Sequence, residues 1–324
     1  MTYISLDRSH VSQPCSLLLH PFTMPNQFRR ILLPLLRLRS TWLSWLGFTS
    51  LVALLFIWIH PVQASQVQIA PTSPRLGDTL SIVLQREEGQ AAIPGVQVDQ
   101  KPYPMFSLGP NRFRALVPTT PLEKPRVLQV RVEGGEKTRN LAVQLKKRSF
   151  PVQQIWLPPG KSSSGTDLEF DRVDAFKKLV TPEKFWQGTF QRPNRGEITA
   201  GYGIRRYYNG VFAKDYYHRG IDYGGGVGSP VMAPAAGRVA LIGLESQGFK
   251  IHGNTVGIDH GQGITSIFLH LSRIDVKEGD FVQAGQRIGA VGATGAVTGP
   301  HLHWGLYVQG LSVDPTPWRT RGFE

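Results

Sequence analysis

Thiol chemistry is all but absent from this sequence: its one cysteine, Cys15, stands close to the start of the chain. No disulfide framework, cysteine nucleophile or cysteine-based metal site can be built downstream of it. Acidic side chains are also scarce, 23 Asp and Glu against 36 Lys and Arg, so the formal net charge is +13. That balance suits anionic wall polymers or membrane headgroups as neighbours. Nucleic acid is not expected as a partner, because no basic run is interleaved with stacking aromatics. Long apolar runs are equally rare, and the one from Trp42 to Ile59 sits in the opening segment. It follows Arg29, Arg30, Arg37 and Arg39 and is closed by Val62-Gln63-Ala64, a small-residue cleavage pattern. Residues 1–64 are therefore expected to be a signal peptide cut after Ala64, or an uncleaved membrane anchor through residues 42–59. Both readings place the rest of the chain outside the cytoplasm, and Met24 is a second candidate start.

Over residues 65–324 the charge is +9, of which +5 falls in residues 65–147. Gly (35) and Pro (24) are abundant and charged residues make up only 18%, which points to a turn-rich, mostly β protein of about two domains. In residues 65–147, Thr79 to Gln85, Phe113 to Val117, Val127 to Val132 and Leu141 to Leu145 are apolar stretches separated by Pro, Gly, Asn and Asp clusters. This spacing predicts an N-terminal immunoglobulin-like β-sandwich. It holds no histidine, so a binding, spacing or inhibitory role is expected of it. Residues 148–191, with Leu157-Pro158-Pro159-Gly160 and a Ser tract, read as a linker containing a short helix from Asp167 to Val180. Residues 192–324 read as a second, Gly-rich β domain.

All six histidines of residues 65–324 fall between His218 and His303. In His218-Arg219-Gly220-Ile221-Asp222, an imidazole and a carboxylate stand four apart, and the neighbouring glycines argue against a helix carrying them. A surface turn with a local His–Asp hydrogen bond is the plainer alternative. In Pro300-His301-Leu302-His303-Trp304, the i, i+2 spacing turns both rings to one face of a strand, so one can bind a metal while its neighbour faces a reacting group. A half-buried strand with two polar residues is the alternative there. Together the two segments supply His, Asp and His, a set that a tetrahedral Zn²⁺ accepts while leaving one position open for catalysis. No His-Glu-x-x-His segment supplies a base, so His270 together with His301 is expected to move the proton. Alternation in Ile267 to Leu271 places Ile267, Leu269 and Leu271 on one face and His270 on the other. His252 and His260, beside turn signals, read as structural.

At these residues the sequence resembles the M23 peptidases, the LytM/lysostaphin-like family of peptidoglycan endopeptidases. The resemblance runs from about Phe190 to Trp318. It includes His-Arg-Gly-Ile-Asp (218–222), Pro-Val-Met-Ala-Pro (230–234), Gly-Asn-Thr-Val (253–256), Phe-Leu-His-Leu-Ser (268–272), Gly-Asp-Phe-Val (279–282) and Thr-Gly-Pro-His-Leu-His (298–303). It implies a Gly-rich antiparallel β-sheet peptidase domain in which His218, Asp222 and His303 hold one Zn²⁺. It implies further that His270 and His301 are the catalytic pair flanking a water on the metal, the nucleophile for peptide bonds of wall stem peptides or cross-links. The family's oxyanion tyrosine lies upstream of the first ligand, where Tyr207, Tyr208, Tyr216 and Tyr217 compete. Phe268 stands where many members have tyrosine. Some relatives have lost ligands and act as amidase activators, so a non-catalytic peptidoglycan-binding regulator is the alternative; this chain keeps all five positions. The partners expected are peptidoglycan peptides and other wall-hydrolase or division proteins, in the periplasm or at the cell wall.

Overall fold

The computed structural model describes residues 64–158 and 164–323. The leader through Gln63, with its apolar run, lies outside them. Among the described residues no helix is long and apolar enough to cross a membrane.

The first eight strands are β1 (Gln66–Ala70), β2 (Thr79–Gln85), β3 (Gly95–Val98), β4 (Lys101–Tyr103), β5 (Phe106–Gly109), β6 (Arg112–Pro118), β7 (Arg126–Glu133) and β8 (Arg139–Leu145). Period-two patterning builds them: along β7, Leu128, Val130 and Val132 are buried while Gln129 and Arg131 are exposed. They form two antiparallel sheets, ordered β1-β2-β6-β5 and β4-β3-β7-β8, the arrangement of an immunoglobulin-type sandwich. Leu80, Ile82 and Val117 from one sheet pack with Val96, Val98 and Val130 from the other in a common core.

After β9 (Val152–Ile155) and α1 (Asp167–Lys177), the strands are β10 (Ile198–Ala200), β11 (Arg205–Tyr208), β12 (Val211–Phe212), β13 (Gly220–Gly224), β14 (Pro230–Met232), β15 (Gly237–Gly243), β16 (Asn254–Gly261), β17 (Ile264–Ile274), β18 (Phe281–Val282), β19 (Arg287–Val291), β20 (His301–Val308) and β21 (Leu311–Val313). A short helix, α2 (Pro315–Thr320), follows them. Ten of these strands make one antiparallel sheet whose main path is β10-β13-β20-β17-β16-β15-β18. Its central strands are buried on both faces, which explains their near-continuous apolar runs. One face carries Phe268, Leu302, Trp304 and Leu306 into the main core. On the other, Ile267, Leu269 and Tyr307 meet Val173 and Phe176 of α1.

Within residues 148–191, expected to be a linker, described residues pack against the rest of the chain. The segment β9 pairs in parallel with β11, α1 covers the sheet, and Trp186 and Phe190 belong to the main core. The aromatic residues Trp186 and Phe190 are core anchors. Helix α1 stops at Lys177, short of the expected Val180, ahead of Thr181-Pro182, where proline disfavours a helical conformation in the residue before it. The sandwich is likewise docked. Arg114 of β6, fully buried, donates to the Phe323 carbonyl (2.7 Å) and to Gln262 Oε1 (2.9 Å). Trp318 donates to Thr79 Oγ1 (3.1 Å), and Arg148 pairs with Asp314 (2.7 Å).

His260 is one of the structural histidines. Its Nδ1–H donates to the Ala236 carbonyl (2.9 Å), and its Nε2 accepts from Ser266 Oγ (2.8 Å), which itself accepts from Trp304 Nε1 (3.1 Å). Burial pushes its pKa down to about 4. The unfolded chain takes up this proton near pH 6.5 and the folded chain only near pH 4, so between those values the unfolded state binds more protons. Stability contributed by neutral His260 is complete above about pH 6.5 and falls by about 3 kcal/mol as the pH drops to 4. Urea unfolding of metal-free protein across this window should show a smaller slope for His260→Gln than for the parent chain.

Candidate functional site

His218 lies just ahead of β13 and Asp222 within it, while His301 and His303 share a face of β20, and register sets Asp222 directly opposite His303. Gly220 makes the approach possible. A Cβ there would come 2.2 Å from the Trp304 carbonyl oxygen and 2.8 Å from His303 Nε2, so no side chain fits. Asp222 Oδ1 is 2.9 Å from His218 Nε2 and 2.8 Å from His303 Nδ1, and those two nitrogens are 3.0 Å apart. Among the described residues this is the one group of His, Cys, Asp or Glu side chains whose donor atoms, all within 4.8 Å of one another, could hold a metal ion.

The donor set fits a cation. His218 Nδ1–H donates to the Gly201 carbonyl (2.7 Å), which turns Nε2 toward the cluster. Burial alone would push the Asp222 carboxyl up, but the charge and hydrogen bond of His218 and the hydrogen bond of His303 hold it well below the usual carboxylate range. Burial pushes His303 down to about 4 against the pull of Asp222. A carboxylate and two imidazoles therefore converge in a buried space. A single proton shared among these three atoms cannot satisfy all three contacts, whereas a small cation accepting N and O ligands can.

His270 reaches the same face by a break in its strand. Leu269 lies opposite His303, so strict alternation would turn His270 away. Instead His270 has φ +66°, a left-handed conformation costing an ordinary residue about 1–2 kcal/mol. The ring swings round to within 5.0 Å of His301 and 6.4 Å of His303, centroid to centroid. Leu271 is carried over to the main core beside Phe268, while Ile267 and Leu269 stay on the opposite side. The alternation expected for Ile267, Leu269 and Leu271 is thereby corrected. Nδ1 of His270 faces the Thr294 carbonyl (3.0 Å) and Nδ1 of His301 the Gly299 carbonyl (2.9 Å). Each Nδ1 is thereby committed to a backbone carbonyl, and Nε2 of His301 lies 3.9 Å from Asp222 Oδ1. Burial first, then His301 and His303, holds the His270 pKa well below the usual range.

His252 and His260 stay outside this cluster. The His252 carbonyl accepts from the His270 N–H (3.0 Å). Of the four tyrosines, Tyr217 turns its hydroxyl to the Ser312 carbonyl (3.3 Å) and Tyr207 packs on Phe212, while Tyr208 and Tyr216 flank Arg206. Arg206 was not legible in the sequence. Its Nη2 donates to Asp222 Oδ2 (3.1 Å) and its Nε to Gln153 Oε1 of β9 (3.1 Å). No motif announces it, because its partner strand lies in the segment that reads as linker.

Residues 216–315 match the model of peptidase family M23. The peptidoglycan DD-endopeptidase ShyA of Vibrio cholerae is 38% identical over 131 residues, 40% of this chain and 29% of that protein. Lysostaphin of Staphylococcus simulans is 37% identical over 123 residues, 36% of this chain and 24% of that protein. The chain thus spans less than a third of the length of these curated relatives. A crystal structure from Pseudomonas aeruginosa, whose description gives peptidase M23 as a provisional assignment, superposes with a TM-score of 0.57 at 26% identity and covers 78% of this chain and 96% of that one. With the His-Asp-His cluster inside the matched segment, residues 216–315 form a peptidase family M23 domain.

Proposed function

We propose that this chain is an exported zinc endopeptidase hydrolysing peptide bonds in bacterial peptidoglycan, with His218, Asp222 and His303 as metal ligands and His270 and His301 as the catalytic pair. The observation that carries the reading is the convergence of His218 Nε2, Asp222 Oδ1 and His303 Nδ1 within 4.8 Å, beside two further imidazoles on the same face. Zn²⁺ bound there would polarise a substrate carbonyl and acidify water. His270 Nε2, a lone pair on a neutral ring, takes the proton released as water adds to the carbonyl. Held by His270 or His301, that proton is returned to the leaving amine, so one amide and one water become an amine and a carboxylic acid. Tyr208 and Tyr216, which flank Arg206, would support developing negative charge. A regulator that only binds wall peptides is disfavoured, since it has no use for two further imidazoles beside the His-Asp-His cluster.

The test is digestion of defined muropeptides by the zinc-reconstituted chain, with mass spectrometry of the products. A new amine and carboxylate pair, absent when a chelator is added, is expected. Intact muropeptides with a fully zinc-loaded protein would overturn the reading.

Arg206 gives a separate prediction. By taking Oδ2 it leaves Oδ1 for the metal and fixes the plane of the carboxylate. Arg206→Gln should weaken zinc about 10–100-fold, the usual cost of losing an outer partner of a ligand. Competition with a chromogenic chelator measures it, and unchanged affinity would remove Arg206 from the site.

A further inference from the structure

Alongside the catalytic face runs a cavity of about 450 Å³ built by three parts of the chain. Thr120 and Leu122 come from the sandwich, Phe170, Val173, Asp174 and Lys177 from α1, and Tyr217, Arg219, His252 and Tyr307 from the M23 domain. Two of its walls therefore lie outside the matched family segment. Chain neighbours link it to the His-Asp-His cluster: Arg219 follows His218, and Tyr307 stands four residues along β20 from His303. Four residues of extended strand span about 13 Å, so a peptide lying over His303 reaches Tyr307 within about four residues.

Its charge is the informative feature. The Arg219 guanidinium rests on the rings of Tyr216 (5.4 Å) and Tyr217 (5.9 Å) and, among the described residues, has no ion pair or side-chain hydrogen bond. Lys177, only 13% exposed, pairs with Asp174 and lies over the Tyr307 ring (5.5 Å). Two cations face one carboxylate, leaving one positive charge in a partly enclosed space. The rim is apolar, since Leu122 (43%), Phe170 (44%) and Leu311 (40%) are exposed there although large and hydrophobic. A free guanidinium in an aliphatic and aromatic cup is complementary to a carboxylate flanked by small apolar groups.

We propose that this cavity is a substrate subsite that binds a carboxylate of the peptide about three to four residues from the scissile bond, with Arg219 as its anchor and the sandwich as one wall. The proposal rests on the peptidase reading above and gives the sandwich a specificity role in place of a tether or a plug.

The test uses the full chain and two non-cleavable reduced-amide peptides that differ only in ending as a carboxylate or a carboxamide at that distance. The carboxylate should bind about tenfold tighter, the scale of one hydrogen bond to a charged group. In Arg219→Gln the ratio of the two dissociation constants should fall to near one. Leu122→Asp, at an exposed position of the sandwich, should also lower the ratio by adding a negative charge at the rim, and it keeps the test open if Arg219→Gln does not fold. Equal binding of the two peptides by the parent chain, or an undiminished ratio in both variants, overturns the subsite. Turnover of a cleavable version is read separately. Hydrolysis with a ratio of one sinks the subsite alone, while no hydrolysis with a ratio near ten sinks the peptidase reading alone.

Discussion

Zinc should be lost from each of three variants, His218→Ala, Asp222→Asn and His303→Ala, and hydrolysis should be lost with it. On the proposed ligand set each change removes one of three protein donors, and a catalytic zinc site has no fourth to spare. Loss of an outer partner costs a site about 10–100-fold in affinity, and loss of a ligand must exceed that. Asp222→Asn is the sharpest of the three because it keeps the volume and removes the charge. Arg206, 11% exposed, then faces a neutral amide, so the variant tests charge rather than a hole. Metal content by atomic absorption after dialysis gives the first readout. Thermal unfolding gives a second, independent of turnover: a cation that binds only the folded chain raises the melting temperature by mass action, and that rise should vanish in all three variants. A variant that still holds one zinc per chain would remove that residue from the ligand set.

Much of this site was legible in the sequence because its logic is local. Period-two spacing turns His301 and His303 to one face whatever surrounds them, and β20 obeys it. Glycines around Asp222 excluded a helix, and β13 is a strand. His270 marks the limit of that reasoning. Alternation assigns it the wrong neighbours, since a left-handed residue in mid-strand changes the face of everything beyond it. Nothing in Phe268-Leu269-His270-Leu271 signals the break, which is imposed by contacts distant in sequence: the His252 carbonyl on the His270 N–H and the Thr294 carbonyl on the ring. Arg206 was hidden for a related reason, as its role depends on β9 adding a parallel strand from the presumed linker. Trp186 and Phe190 could have corrected that linker, because large aromatics are rarely left on a tether.

His270 and His301 should behave differently from the ligands: their variants should keep zinc and lose turnover. Both rings have Nδ1 committed to a backbone carbonyl, so Nε2 is the atom available for proton transfer. His270, buried and held neutral at physiological pH by burial and by His301 and His303, is suited to accept a proton without first shedding one. Removing such a group costs about 10²–10⁴-fold in kcat, with KM nearly unchanged because binding does not depend on it. The choice of replacement matters at position 270. Alanine at φ +66° adds backbone strain to the loss of the ring, whereas asparagine tolerates the left-handed region, so His270→Asn isolates the chemistry. His301 begins β20 with no such restriction, and His301→Ala serves there. Steady-state kinetics on a soluble peptide, with metal content measured on the same samples, separates the outcomes. A variant with full zinc and near-normal kcat would take that ring out of proton transfer; one that loses zinc as well would make it a ligand or a support of one, and the division between His270 with His301 and His218 with Asp222 and His303 would have to be redrawn.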